Sequence, residues 1–238
     1  MLDLGKNLSD AFQYAQKLFS DLGRLVILII LSIIPILNFI VIGYAAKVAR
    51  ESPEGNAPPP LTEYASLFIE GLKIVVVAII YMIVPLILIG PSIIGLISIP
   101  MLPHTPGLFV GGIALITFIA GLILGILASI LFYMGIMNMI KKNSFGKAFA
   151  FGEILEVIGN VGWGMYILWI IALVVIVAII GLIAAIPLVG WLISLIISPA
   201  LSVFIFRSAA LVYSAGRPSS TNEASAAVPP PPPPPAAQ

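Results

Sequence analysis

The fold class is decided by residues 157–206, which read VIGNVGWGMYILWIIALVVIVAIIGLIAAIPLVGWLISLIISPALSVFIF. This stretch contains no Asp, Glu, Lys or Arg. A helix that crosses a bilayer needs about 20 apolar residues, so the stretch can supply two to three spans. It lacks the alternating pattern of a membrane barrel, and backbone groups in lipid must be satisfied within a segment. It therefore predicts membrane-spanning helices.

Two further uncharged runs, residues 25–46 and 74–140, have room for about one and three spans. Only 9% of the chain is charged, against about 25% in soluble domains, which excludes a soluble globular class. A net charge of +1 gives no electrostatic reason to expect nucleic acid as a partner. The absence of cysteine excludes disulfides and thiolate metal sites. We expect an all-α, polytopic transmembrane helix bundle in the cell membrane, surrounded by lipid.

The same order of events recurs three times along the chain. A moderately polar amphipathic segment precedes each apolar run, and an Ile-Pro pair follows at Ile34-Pro35, Ile99-Pro100 and Ile186-Pro187. Because proline disfavours helix at such a pair, each pair predicts the turn of a helical hairpin. We predict three related units at about residues 1–50, 61–142 and 144–215. The alternative is chance recurrence in a chain with 20 prolines.

The apolar faces of the three amphipathic segments follow helical spacing. They comprise Leu8, Ala11, Phe12, Ala15, Leu18, Phe19 and Leu22 in the first; Leu61, Tyr64, Ala65, Phe68 and Leu72 in the second; and Phe145, Ala148, Phe149, Gly152, Leu155 and Ile158 in the third.

Lys and Arg residues flank the two later hairpins and are absent from their turns, which places both hairpin ends and the C-terminal tail in the cytoplasm. The first run is shorter. If it breaks at Pro35, each arm has about ten residues, roughly 15 Å, and reaches half way across the bilayer. We predict a short or re-entrant hairpin, hence six helical membrane segments, with Asp21 and Arg24 close enough to pair. Five spans with the N-terminus outside is the rival topology.

The composition changes to Pro, Ala and Ser at residues 216–238, which include seven consecutive prolines from Pro229 to Pro235. This predicts a disordered tail with a polyproline II end. A partner domain with an aromatic groove could bind it. The alternative is a solvated tail without a dedicated partner.

Catalytic and metal-binding motifs are missing. Metalloprotease, serine-nucleophile and phosphate-loop signatures do not occur, so we expect no catalytic, metal or cofactor site. The uncharged runs also weigh against ion-coupled transport and intramembrane aspartyl proteolysis, which need buried charge. Acid–base chemistry would fall to Glu153, Glu156 or His104. We interpret His104 as a loop residue; a pH-sensitive or ligand contact is the alternative.

Small and polar residues are the remaining features of the apolar runs. Two ladders recur every four residues and so lie on one helix face each: Thr117, Gly121, Gly125 and Ser129, then Gly190, Ser194, Ser198 and Ser202. They predict close helix packing, with a narrow path for a neutral solute as the alternative. Asn38 and Asn138 are candidates for hydrogen bonds between helices.

Internal prolines add a further expectation for the same runs. Pro85, Gly90 and Pro91 in the second run, and Pro199 in the last, predict kinks or interruptions of the helices. Broken helices expose backbone groups that bind substrates in transporters. Packing kinks are the other interpretation, since no charged ligand for a substrate lies nearby.

Residues 34–73, together with a short segment near the start of the chain, also carry a family likeness. The segments are Asp10-Ala11-Phe12, Ile-Pro-Ile-Leu-Asn-Phe at 34–39, Gly43-Tyr44, residues 47–51 and Leu-Phe-Ile-Glu-Gly-Leu-Lys at 67–73. The chain resembles, over about residues 1–215, the archaeal membrane family known as domain of unknown function 4013. It departs from that pattern at Pro58–Pro60 and Leu61, where the family tends to have a Leu-Pro-acidic stretch. The resemblance implies a multi-pass membrane domain from an archaeon and no particular activity.

The uncharged interior favours a non-enzymatic membrane component that scaffolds, organises lipid or assists another membrane component. A protein partner could contact the helix faces or the Pro-rich tail. The alternative is a permease or channel for a small neutral or apolar solute, based on the broken helices and small-residue ladders. An enzyme is the third hypothesis.

Overall fold

The computed structural model describes residues 2–98, 107–187 and 189–217. Within these ranges the secondary structure is helical, without strands, which confirms the all-α class. The α-helices are α1 (Leu4–Gln16), α2 (Leu22–Ile33), α3 (Asn38–Glu51), α4 (Tyr64–Ser98), α5 (Gly107–Lys142), α6 (Phe151–Val161), α7 (Trp163–Ala184) and α8 (Val189–Gly216). The Ile99-Pro100 turn, His104 and the tail from residue 218 lie outside the described residues.

Four helices, α4, α5, α7 and α8, are long and apolar enough to cross a membrane. The shortest, α7, has 22 residues, or about 33 Å, against about 30 Å for the hydrocarbon core. Large apolar side chains cover their outer faces; Ile94 is 68% exposed and Leu182 73%. Such a surface is unfavourable in water and favourable in lipid. The chain is therefore a helical membrane protein.

The long helices form two antiparallel pairs. In the α4–α5 pair, Ser92 lies beside Thr117 and, further from the turn, Tyr81 lies beside Phe132. In the α7–α8 pair, Gly190 packs against the last turn of α7, while the Trp169 indole N–H donates to the Ser208 hydroxyl at 2.8 Å. Each pair is thus a hairpin, as the sequence predicts.

The first apolar run also turns back on itself. Helix α2 ends at Ile33 and α3 begins at Asn38. The Arg24 guanidinium, in the first turn of α2, donates to the Tyr44 hydroxyl in the middle of α3 at 3.2 Å. Asp21 and Arg24 pair at 2.7 Å, as expected. Residues 25–46 therefore form two short helices rather than one continuous helix.

The amphipathic segments differ from their predicted form. In the first, α1 is followed by a separate 3-10 segment, Lys17–Ser20, and Leu22 already belongs to α2. The second is not a separate helix, because it forms the first turns of the continuous helix α4, and Leu61 precedes that helix. The third divides into the 3-10 segment Phe145–Phe149 and α6. The threefold repeat remains a prediction.

The internal prolines do not interrupt their helices, and kinks at these positions stay a prediction. Pro85 and Pro91 lie within α4, and Pro199 lies within α8. Transmembrane helices tolerate proline where side chains satisfy the freed carbonyls. The Ser198 hydroxyl donates to the Leu195 carbonyl at 3.1 Å, and that carbonyl is the one Pro199 leaves without its helical donor.

The tightest packing lies where the charged residues gather. There α3 crosses α4 at Gly43 and Gly71. A Cβ at Gly43 would overlap the Leu67 carbonyl, and one at Gly71 would overlap the Phe39 carbonyl. The two backbones are therefore in direct contact, which small residues permit. Around this crossing Tyr44, Val48, Met137, Ile154 and Tyr213 are buried in one core.

Candidate functional site

The loop between α3 and α4, residues 52–63, receives hydrogen bonds from much of the bundle. Its prolines have no backbone N–H, so the segment cannot form the regular backbone hydrogen bonds of a helix or a sheet. Its carbonyl groups therefore need donors from other parts of the chain. Arg24 donates to the carbonyls of Pro58 and Pro59 at 2.6 and 2.8 Å. The other side-chain donors to loop carbonyls are Lys17 to Asn56, Tyr14 to Ala57, Tyr44 to Pro59, Lys47 to Pro60, Arg207 to Gly55 and Lys141 to Ser52.

Arg207 connects α8, on which it lies, to this loop and to α1. Its side chain is 5% exposed, and its guanidinium pairs with Asp10 of α1 at 2.8 Å. It also donates to the Ser52 hydroxyl at 3.1 Å and lies 4.5 Å from the centre of the Tyr14 ring. Burial raises the pKa of Tyr14 to about 12, so Tyr14 stays protonated. The sequence marks Arg207 only as a basic flank of the last hairpin, whereas the structure makes it a buried connection.

Asn138 is the centre of a second polar cluster. The Tyr213 hydroxyl donates to its amide oxygen at 2.7 Å, and its amide nitrogen donates to Glu153 at 2.8 Å. Lys142 and Lys147 also pair with Glu153, at 2.8 and 2.5 Å. Hydrogen bonds from Asn138, Lys142 and Lys147 lower the pKa of Glu153 to about 2. A carboxylate so acidic is a weak general base, and the cluster connects α5, α6 and α8.

A polar cavity of about 360 Å³ lies between the α2–α3 turn and α8. Its lining residues are Ser32, Asn38, Val41, Ile42, Trp191, Ser194, Leu195, Ser198 and Ser202. Four of these, Asn38, Ser194, Ser198 and Ser202, are residues that the sequence singles out. Their meeting depends on the chain reversal after Pro35, which brings the start of α3 against α8. Ser32 and Trp191 were missed as lining residues, because no spacing in the sequence relates α2 to α8.

The hydrogen bonding of the polar cavity is incomplete. Among the described residues, the Ser194 hydroxyl oxygen is buried and has no partner. The other hydroxyls bond within their own helices: Ser32 to Leu28, Ser198 to Leu195 and Ser202 to Ser198. Gly190, the first residue of this ladder, lies outside the cavity, where a Cβ would overlap the Ile183 carbonyl at the α7–α8 turn.

The other ladder lies along α5 where it meets α4. The Thr117 and Ser92 hydroxyls are 2.6 Å apart and border a cavity of about 370 Å³. A Cβ at Gly121 would crowd Ile89 of α4, and one at Gly125 would make an ordinary contact with Pro85. Ser129 bonds to the Ile126 carbonyl of its own helix at 2.7 Å. A solute path along this ladder stays a prediction.

No group of three or more His, Asp or Glu side chains that could hold a metal occurs in the described part of the chain. Of the acid–base candidates, Glu153 is held in ion pairs and Glu156 is exposed. His104 lies beyond the described ranges. Of the features described, the polar cavity is the best candidate for a binding site.

No curated protein and no solved structure matches the chain. One family model does match, under the description "Protein of unknown function (DUF4013)", over residues 27–189. That range contains the second half of α2, all of α3 to α7, and the cavity-lining residues Ser32 and Asn38. Since the match covers more than half of the chain, the protein belongs to the DUF4013 family.

Proposed function

We propose that the protein is a non-enzymatic structural component of the membrane that holds and organises lipid. The observation behind the proposal is an apolar groove of about 810 Å³ between α1 and the α7–α8 hairpin. The groove is lined by Leu8, Ser9, Phe12, Ala15, Gln16, Phe19, Ile176, Ile180, Ile197, Ala200, Leu201 and Phe204.

The position of α1 explains why lipid is a suitable occupant. The Asn7 amide donates to the Ser208 carbonyl at 3.1 Å, and Asp10 pairs with Arg207, so α1 is held against α8. Phe12 and Phe19, which belong to the lining of the groove, are 57% and 42% exposed. An amphipathic helix of this kind lies in the membrane interface with its apolar side chains among the acyl chains. The groove then opens onto hydrocarbon, and lipid chains fill it.

Two matched variants of α1 test this role. Gln16 lines the groove, and Gln13, on the same helix, is exposed and outside the lining. Gln16→Trp should reduce the number of lipids that stay bound when the protein is released gently into detergent, because the indole fills the groove. Gln13→Trp should leave the number unchanged. Native mass spectrometry provides the count, and equal retention in both variants would count against the proposal.

The membrane orientation is part of the same proposal. The C-terminal parts of α3, α5 and α8 carry basic residues: Lys47 and Arg50, Lys141 and Lys142, and Arg207. By the positive-inside rule these ends are cytoplasmic, and so is the loop that follows α3. The short α2–α3 hairpin then enters and leaves on that side. Lys6→Cys and Asn56→Cys, both at exposed positions in a cysteine-free chain, should react with an impermeant thiol reagent from the same side. Reaction from opposite sides would restore the five-span rival. Asn7 is unsuitable for labelling because it is buried.

A permease or channel for a small neutral solute is the second candidate function. It is favoured by the polar cavity beside the broken α2–α3 segment, because broken helices form substrate sites in transporters. Vesicles containing the protein should then take up a small neutral solute faster than empty vesicles, and the polyol glycerol is a suitable first choice. Equal rates for every solute in a panel would count heavily against transport.

A further inference from the structure

We propose that the polar cavity binds an uncharged molecule through a hydroxyl group, with the Asn38 amide and the Ser194 hydroxyl as its partners. This goes beyond the lipid-organising role, and binding in the cavity does not require that the molecule crosses the membrane.

Two lining side chains have no hydrogen-bond partner among the described residues. The Ser194 oxygen is buried, whereas the Asn38 side chain is only partly buried and faces the same cavity. A buried polar group without a partner destabilises the fold by about 1–3 kcal/mol, and native structures rarely leave one unsatisfied. The neighbouring Ser32, Ser198 and Ser202 hydroxyls avoid this penalty by bonding to their own helices.

The lining of the cavity is polar but uncharged. An amide and a hydroxyl offer both donors and acceptors, and a ligand hydroxyl group likewise donates and accepts. No Asp, Glu, Lys or Arg lines the cavity, so a charged molecule would lose hydration without gaining a counter-charge. A lipid tail alone would leave both side chains unsatisfied. An uncharged compound with a hydroxyl group donates and accepts hydrogen bonds, and it needs no counter-charge in the lining.

The position and the size of the cavity fit such a molecule. Ser194 precedes the buried Arg207 by 13 residues on α8, about 20 Å at the helical rise. The site therefore lies at membrane depth, where water is scarce as a substitute partner. Its volume of about 360 Å³ falls at the small end of the range for ligand pockets, about 300–1,000 Å³. A polyol, or the hydroxylated head group of an uncharged lipid, supplies the same chemistry.

The test uses a reporter in the full, cysteine-free chain. Ser32→Cys places one thiol in the lining, and its reaction with uncharged N-ethylmaleimide is timed in phosphatidylcholine vesicles. Glycerol represents the soluble source of hydroxyl groups, and monoolein represents the lipid source. Methyl oleate has the same acyl chain as monoolein without the hydroxyls and is the control. We expect at least one hydroxyl compound to slow alkylation about threefold or more, with no effect of methyl oleate.

The reporter is then combined with changes in the proposed partners. Asn38→Leu and Ser194→Ala should each raise the half-protecting concentration about tenfold, as expected for one lost hydrogen bond. Ser129→Ala is the matched control, because that hydroxyl bonds to Ile126 of its own helix away from the cavity, and it should change nothing. Size-exclusion chromatography verifies that each variant is folded.

Four outcomes would overturn the proposal. They are an absence of protection by both hydroxyl compounds, equal protection by methyl oleate, protection that neither Asn38→Leu nor Ser194→Ala weakens, and a thiol that reacts only after unfolding in detergent. Protection by glycerol without faster glycerol uptake would support binding and count against the permease candidate. Lipid retention at Gln16 is measured separately, so the binding proposal and the lipid proposal can fail independently.

Discussion

The charged end of the bundle and the apolar half of the α4–α5 hairpin are stabilised in different ways. At the charged end, the α3–α4 loop and Arg207 form a network of directional hydrogen bonds around a buried core. In the apolar half, Ile94 and Ile116 are each 68% exposed, and the two helices pack mainly on each other. Hydrogen bonds therefore specify the arrangement of the short elements, while lipid covers the long ones. Substitutions at the two ends should have unequal effects.

The largest effect is expected from Arg207→Met. The change removes the partner of Asp10 and leaves the Gly55 carbonyl and the Ser52 hydroxyl without this donor. Breaking a buried pair costs about 3–5 kcal/mol. Because Asp10 is about half exposed, we expect the free energy of unfolding in detergent to fall by about 2–3 kcal/mol. Leu127→Ala, at an exposed site in the apolar half, should change it by less than about 0.5 kcal/mol. If the two variants lost similar amounts of unfolding free energy, the charged end and the apolar half would not be stabilised differently.

A somewhat smaller effect is expected at the α3–α4 crossing. Gly43→Ala forces a methyl group against the Leu67 carbonyl, so the two helices must separate. Overpacking of this kind costs about 1–3 kcal/mol. Gly125→Ala, whose methyl group would meet only Pro85 at an ordinary contact distance, is the matched change on α5. Denaturation in mixed micelles should show a loss for Gly43→Ala alone, and an equal loss for both would refute a backbone contact specific to the charged end.

The smallest effect concerns pH and Glu153. Its pKa in the folded protein is lowered from 4.5 to about 2 by hydrogen bonds from Asn138, Lys142 and Lys147. The ionised form therefore stabilises the fold above pH 4.5, and this contribution is lost as the pH falls towards 2. Between pH 5 and pH 3, the thermal midpoint of the wild type should fall more than that of Glu153→Gln. Glu156→Gln, at an exposed position, should follow the wild type, and three parallel curves would contradict the assignment.

Sequence reasoning recovers what depends on local composition. The long uncharged runs predict the membrane helices, and Pro35 predicts the break between α2 and α3, because both signals lie within one segment. Pro199 alone does not show whether the helix stops or kinks there; the helix continues, because the Ser198 hydroxyl satisfies the Leu195 carbonyl. The four-residue spacing of Ser194, Ser198 and Ser202 places them on one face without showing what lies opposite.

Contacts between distant segments are the part that local patterns do not reveal. Arg207 reads as a flanking charge, and its burial becomes visible only when α1 and the α3–α4 loop are placed around it. Similarly, Ser32 joins the polar cavity through the packing of α2 on α8. The α3–α4 loop could not be understood from its own sequence either. The side chains that donate hydrogen bonds to its carbonyl groups come from six separate segments of the chain.

The length of α5 has a consequence for its orientation in the bilayer. Its span extends from Val110 to Lys142, but from Met134 to Ile140 it is buried in the core at the charged end. The part before this, residues 110–133, is about 36 Å long at about 1.5 Å per residue. A tilt of roughly 34° fits that length into a hydrocarbon core of about 30 Å, within the usual range of about 0–40°. The α4–α5 hairpin should therefore cross the bilayer obliquely rather than along its normal.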